Sequence, residues 1–292
     1  MILVFGSINV DVVVPVQHLP AVGETVLGGD YALFAGGKGA NQAVAACRAG
    51  AEVVMAGAVG HDDFAAVALA SLNRVGVDTE LVRRTARPTG CALIMVSAAG
   101  ENLIAVASGA NLALTCDHVP EERIALSTTL IAQMEVPPAE TGRLIRRIRA
   151  AGGRTILNFA PALALDRGLL GEIDLVVANE GEAAGLGAEP QAVGRMLRHG
   201  FVVTAGAAGA VAYLADGARL AAPALPIVPV DTTGAGDTFV GALAAALDQR
   251  ASLAIALRRA NAAAGLACLA LGAQTAMPDR AAIDAAEAQL PR

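Results

Sequence analysis

The 292-residue chain has no tryptophan, two tyrosines, six phenylalanines and four histidines. His18, His61, His118 and His199 are scattered without metal-ligand spacing, and no G-x-S-x-G elbow is present, which argues against a histidine-built zinc site and a serine hydrolase. Cys47, Cys91, Cys116 and Cys268 show neither close pairing nor C-x-x-C spacing, so no disulfide framework is suggested and a reducing cytoplasm is the expected home. Basic residues are outnumbered, 21 against 27 acidic ones, giving a formal charge of −6. That balance speaks against nucleic acid or an anionic membrane as a partner, because both need clustered cations to displace counterions. Arg143, Arg146, Arg147 and Arg149 fit the solvated face of a helix. Long apolar runs are also missing: the mean hydropathy of +0.55 owes much to alanine, and each apolar stretch stops short of a bilayer span. Met1 to Gly6 lacks a positively charged leader pattern and reads as a buried first strand. With no repeat, low-complexity tail or linker, residues 1–292 are expected to form one unit.

What is present alternates. Val- and Ile-rich runs at 1–6, 53–58, 129–133, 155–159, 174–178 and 201–204 read as strands. Ala-rich stretches at 39–50, 62–75, 138–151, 180–186, 190–198, 236–248 and 252–271 read as helices. This is the pattern of a doubly wound, mostly parallel α/β sheet with crossover helices. Two segments break the rhythm, 10–33 and 90–107, the latter with a hairpin-like turn at Ala98 to Glu101, and they predict a small β lid set on the core.

The most informative stretch is Asp231-Thr232-Thr233-Gly234-Ala235-Gly236-Asp237-Thr238-Phe239, between an extended run and a helix start. Two glycines there allow backbone N–H groups to converge, and the helix N-terminus adds partial positive charge, so the turn predicts an anion site. Asp237 at the same point could serve as a base beside developing phosphate charge. A bare G-x-G-D is more often an ordinary capped helix start, but this motif is longer and has company. Gly36-Gly37-Lys38-Gly39-Ala40-Asn41-Gln42-Ala43 opens another helix, and its close backbone approach, Lys38 and the Asn41 amide suit a polyhydroxylated ligand. It is not a Walker A loop, since no hydroxyl residue follows the lysine. Asn9 and Asp11 alternate on an extended segment and share one face. Asn179 and Glu182, in N-x-x-E spacing, fall on one side of a first helical turn, where they could steer Mg²⁺-bound phosphates or simply cap the helix.

Together these segments resemble the ribokinase family, which also includes fructokinases and adenosine kinases, with motifs in family order over nearly the whole chain. The resemblance implies that Asp237 is the catalytic base and that the amides of Gly234, Ala235 and Gly236 form the anion hole. Asn9, Asp11, Gly37, Lys38, Asn41 and Glu135 would bind the sugar. Asn179, Thr204, Gly206, Gly234, Gly236 and Asn261 would meet ATP, with Glu182 and Asn179 reaching Mg²⁺ through water. Asp231, Thr233, Ala267 and Gly272 would hold an activating monovalent cation, K⁺. In Thr204 to Gly209, Ala207 and Ala208 stand where polar or basic residues are frequent, and Asn158-Phe159-Ala160-Pro161 departs from the usual proline position.

The expected activity is ATP-dependent phosphorylation of a sugar hydroxymethyl. Gly100-Glu101-Asn102 and Ser108-Gly109-Ala110-Asn111 resemble the ribose-specific branch and point to D-ribose. The scarcity of aromatics weakens a nucleoside acceptor, which would need a stacking partner. Another small sugar, a nucleoside, or a non-catalytic sugar or nucleotide sensor remain the alternatives. Apolar alternation in the lid strands, with the resemblance, implies a homodimer through the lid.

Overall fold

In the computed structural model, which describes residues 1–291, the first strand sets the plan of the molecule. Ile2 and Val4 point to one side of strand β1 (Ile2–Phe5) and Leu3 and Phe5 to the other; all four are fully buried, so both faces must be covered. Then follow β2 (Asn9–Val16), β3 (Ala32–Gly36), α1 (Lys38–Arg48), β4 (Val53–Val59), α2 (Asp63–Val75), β5 (Val82–Arg84), β6 (Gly90–Ser97) and β7 (Asn102–Ala107). Three 3₁₀ turns between Gly109 and Arg123 lead to β8 (Thr129–Ala132), α3 (Pro138–Ala150), β9 (Arg154–Asn158), α4 (Arg167–Leu170), β10 (Leu175–Asn179), α5 (Glu180–Ala184) and α6 (Pro190–Met196). The chain closes with β11 (Gly200–Thr204), β12 (Ala210–Leu214), β13 (Arg219–Ala222), α7 (Ala235–Asp248), α8 (Leu253–Ala267), α9 (Ala273–Ala276) and α10 (Arg280–Glu287).

Nine strands form one sheet in the order β13-β12-β11-β10-β9-β8-β1-β4-β5, parallel from β11 to β5 with an antiparallel edge of β12 and β13. Helices α1, α2, α7 and α8 cover one face, and α3 to α6 with the 3₁₀ turns cover the other. The remaining strands form a separate sheet, β3-β2-β6-β7. Strand order reverses between β1 and β8, and in open α/β sheets the crevice at the carboxyl ends of such strands is where ligands bind.

The wealth of alanine has a packing reason. Helix α7 is buried from Asp237 to Leu247 and lies against α1, and a β-carbon on Gly241 would come 2.5 Å from the Ala45 side chain and 2.7 Å from the Gln42 carbonyl. Only small residues admit such an approach.

The sequence reading placed the crossover helices and parallel strands in the right order. It missed three short strands at the two ends of the large sheet, β5, β12 and β13, whose three to five residues are too few to show a strand period. It also missed α10, whose alternation of alanine and charge hides a single apolar stripe. The helix expected over 252–271 ends at Ala267, and that expected over 180–186 is only the five residues of α5. No helix among the described residues is long and apolar enough to cross a membrane, and all four cysteines are free.

Gly241→Ala should lower stability by about 1–3 kcal/mol, the usual cost of overpacking, and the unfolding midpoint by about 2–6 °C. Thermal denaturation of the variant beside the parent checks this.

Candidate active site

The switch point is built by backbone pairing. Where β1 ends, the Ser7 carbonyl accepts the Ala40 amide at 2.9 Å and its hydroxyl accepts the Gly39 amide at 3.2 Å, docking the first turn of α1 on the strand end. A β-carbon at Gly39 would lie 2.6 Å from this backbone, which explains the small residue there. Glu135, just past β8, accepts the Lys38 amide at 3.2 Å and the Ser7 hydroxyl, so the two strands flanking the reversal are tied through one carboxylate.

The small sheet brings in Asn9 and Asp11 from β2. Asp11 lies over Gly36 of β3, where a β-carbon would meet both carboxylate oxygens at 2.4 Å. Burial first, then the nearby charges of Glu135 and Asp237, push its carboxyl up from 3.8 to about 6. Asn111 Nδ2 donates to Asn9 Oδ1 at 2.7 Å, while Asn111 Oδ1 accepts the Ile8 amide at 2.9 Å. Asn111 thereby turns the amino end of Asn9 away from itself as a free donor.

Asp237 stands in the first turn of α7, 8% exposed. Its Oδ2 accepts Asn41 Nδ2 at 2.8 Å and its Oδ1 accepts Gln42 Nε2 at 2.9 Å. Gln42 Nε2 also donates to Asn158 Oδ1 at 2.9 Å, Gln133 Nε2 donates to Gln42 Oε1 at 2.7 Å, and Gln274 Nε2 donates to Asn41 Oδ1 at 2.9 Å. The Asn41 amide, expected to meet the sugar, is thus engaged with Asp237 and Gln274. Gly234, just before the helix, has φ +74° and packs on Ala273, with 2.8 Å left for a β-carbon, so both conformation and space call for glycine. Of the three amides expected to form the anion hole, that of Ala235 donates to the Thr232 carbonyl at 3.2 Å; among the described residues the Gly234, Gly236 and Asp237 amides have no backbone acceptor. The Gly236 and Asp237 amides are thus left without a backbone partner at this helix start, beside that of Gly234, while the Ala235 amide closes the turn on Thr232.

A cavity of about 210 Å³ opens in front of Asp237, lined among others by Lys38, Asn158, Asn179, Glu182, Thr204 and Gly236. Thr204 and Gly236 also border a cleft of about 300 Å³ that runs past Gly206, Leu225, Ile227, Asn261 and Gly265. The two volumes suit a phosphate chain and a heterocycle respectively. Asn261 donates to the Ala222 carbonyl at 2.8 Å, and the Gly206–Ala208 turn presents backbone where Ala207 and Ala208 have no polar side chains. Asn179 and Glu182 form a reciprocal helix cap, each side chain accepting the other's amide at 2.8 and 2.9 Å. The capping reading of that pair is what the structure shows, and the cap leaves both residues on the cavity wall with side-chain oxygens. Burial alone would lower the Lys38 pKa, but Asp237, Glu135 and Glu182 outweigh it and hold the ammonium above its ordinary value.

Behind the turn, Asp231 Oδ1 accepts the Thr233 amide at 2.9 Å and hydroxyl at 2.7 Å, and its Oδ2 accepts the Gly272 amide at 2.8 Å. Burial opposes its charge, but these three donors together hold the carboxyl below its usual value. Among the described residues the Thr233, Ala267 and Gly272 carbonyls accept no backbone hydrogen bond, and Thr233 and Gly272 are the residues tied to this carboxylate.

The structure therefore gathers Asn9, Asp11, Lys38, Asn41, Glu135 and Asp237 at one end of the sheet, with Asn261 farther along the nucleotide-sized cleft. Residues the sequence reading left without a role are Ser7, Gln42, Asn111, Gln133, Asn158 and Gln274. One signal was available and unused: Lys38 is the only lysine in the chain, the other 20 basic residues of this type being arginine. A separate cavity of about 410 Å³ at the amino ends of β9 and β10 contains none of these residues, and its Arg198 and His199 are paired with Asp174.

Comparison with known proteins bears on this arrangement. The model of a family described as pfkB family carbohydrate kinase matches residues 1–280. A ribokinase of Bacillus subtilis is 37% identical over 283 residues, covering 96% of each chain. The crystal structure of a Thermotoga maritima ribokinase superposes with a TM-score of 0.91 at 29% identity, covering 98% of both chains. An Arabidopsis thaliana ribokinase complexed with ribose and ATP gives 0.88 at 27% identity, again covering 98% of both.

The raised Asp11 carboxyl predicts a pH-dependent penalty. Between 3.8 and about 6 the unfolded carboxyl ionises while the folded one keeps its proton. Stability from this group is therefore full below 3.8 and lost as pH rises through about 6. Asp11→Asn should be more stable than the parent by roughly 3 kcal/mol at pH 8 and by only about 1 kcal/mol at pH 4.5, read by denaturant unfolding at both pH values. A gap that does not change with pH contradicts the account.

Proposed function

We propose that this chain, which belongs to the pfkB family of carbohydrate kinases, transfers the γ-phosphoryl group of ATP to the terminal hydroxymethyl of D-ribose, giving D-ribose 5-phosphate and ADP. The observation that carries the reading is the placement of Asp237. Its buried carboxylate, fixed by two amides, lies between the sugar-side residues Asp11 and Glu135 and the cavity that continues into the nucleotide-sized cleft. Ribose as acceptor is supported by the ribokinase relatives, one of them complexed with ribose and ATP.

On this reading Asp11, Glu135 and the free amino end of Asn9 bind the pentose hydroxyls. Asp237 takes the proton of the O5 hydroxyl as that oxygen bonds to the γ-phosphorus, and the bond from the γ-phosphorus to the β,γ-bridging oxygen breaks to release ADP. The Gly234, Gly236 and Asp237 amides and the Lys38 ammonium stabilise negative charge on the transferring group. Mg²⁺, held through water by Asn179 and Glu182, would neutralise charge on the triphosphate. A K⁺ ion among Asp231 and the Thr233, Ala267 and Gly272 carbonyls would stiffen the catalytic turn from below. The small sheet, with the segments about 10–33 and 90–107, acts as a lid that limits ATP hydrolysis by excluding water. Leu93, Leu103, Ile104 and Val106 are exposed on that sheet, which supports a homodimer formed through it. The free cysteines suit a reducing cytoplasm.

ADP release over a panel of pentoses, hexoses and nucleosides tests the substrate; ribose should give the highest kcat/KM, and a nucleoside or hexose in that place overturns the proposal. Asp237→Asn should lower kcat by about 100-fold or more with little change in sugar KM, and near-normal turnover would show that the base is another group. Light scattering should report about twice the chain mass of 29.2 kDa. A monomer would rule out the lid-mediated dimer.

A further inference from the structure

The hydrogen bonds around Asp237 have a sense that its charge dictates. A carboxylate accepts and cannot donate, so Asn41 and Gln42 must both turn their NH₂ groups toward it. Their carbonyl oxygens are then committed to the opposite side and require donors of their own. Gln133 supplies one and Gln274 the other.

We infer that Gln274 is a positioning residue for the phosphoryl-transfer step, holding Asn41 in the one amide orientation that lets it donate to Asp237. The inference deepens the proposed function and rests on its assignment of Asp237 as base. Gln274 does not line the cavity in front of Asp237, so it acts through Asn41. It is 3% exposed, and its Oε1 is buried without a hydrogen-bond partner among the described residues. A side chain that keeps an unpaired buried oxygen is held there for what its nitrogen does, and that nitrogen donates to Asn41 Oδ1 at 2.9 Å. Without this donor, Asn41 is free to rotate its amide by half a turn. Its oxygen would then face the Asp237 carboxylate, lone pair against lone pair.

The segment carrying Gln274 is placed to do more than fill space. Two residues earlier the Gly272 amide is bound by Asp231, and one residue earlier Ala273 is the surface on which Gly234 packs. Helix α9 also touches α1, which carries Asn41, and β3, which carries Gly36 beneath Asp11. One short stretch therefore braces the catalytic turn directly and the catalytic carboxylate through an amide.

The test uses Gln274→Met, which keeps length but cannot donate, and Gln274→Glu, which keeps shape but replaces the donor by an acceptor. Turnover is measured well below each variant's unfolding midpoint. The expected result is a fall in kcat of about ten-fold for Met and more for Glu, with ribose and ATP KM within about two-fold. A merely space-filling role predicts the opposite order, since Glu matches the shape of Gln more closely. A second readout needs no activity: the Asn41 side-chain NH₂ resonances, assigned by their loss in Asn41→Asp, should shift and exchange faster with solvent in Gln274→Met. Unchanged Asn41 resonances, or a kcat within two-fold of the parent, overturn the inference. Should the parent phosphorylate nothing in the panel, the proposed function falls, while the resonances still decide whether Gln274 orients Asn41.

Discussion

A single buried negative charge organises the polar interior of this protein. Each Asp237 carboxylate oxygen accepts a side-chain amide, and each donor amide brings a carbonyl that needs a donor in turn. The requirement passes outward from Asn41 to Gln274 and from Gln42 to Gln133 and Asn158, reaching β8, β9 and α9. The close approach of α1 and α7 through alanine and glycine serves the same end, since it brings Asn41 and Gln42 within reach of the carboxylate.

The sugar side follows the opposite logic. Asp11 is placed near two other carboxylates in a partly buried setting, which the fold alone would not favour. Lys38 offsets part of this by lying among the same acids. Hydroxyl donors reaching this carboxylate would offset that cost, because hydrogen bonds to the charged form favour it.

Much of this was legible in the sequence, because the motif residues sit at strand ends and helix starts, where glycine spacing and charge betray them. Asp237, Lys38, Glu135 and the Asp11 and Asn9 pair fall where the motifs placed them. What could not be read were the amides that act through other side chains. Gln133 and Gln274 carry no charge and no local pattern, Asn111 gave away a motif but not its role, and their partners lie about a hundred residues or more away in sequence. The anion hole illustrates a finer limit: which amide of a first helical turn stays free depends on whether Thr232 folds back on Ala235, a matter of local dihedral angles that composition does not encode.

The solitary lysine has a practical corollary for handling the protein. Apart from the α-amino group of Met1, which is paired with Asp248, the ε-amine of Lys38 is the only primary amine in the chain. Acylating dyes, biotinylation esters and amine-coupled sensor chips therefore have two addresses, and one of them lines the cavity in front of Asp237. The acids that keep Lys38 protonated slow acylation there, so amine reagents favour the Met1 end, and an engineered tag leaves the cavity wall untouched.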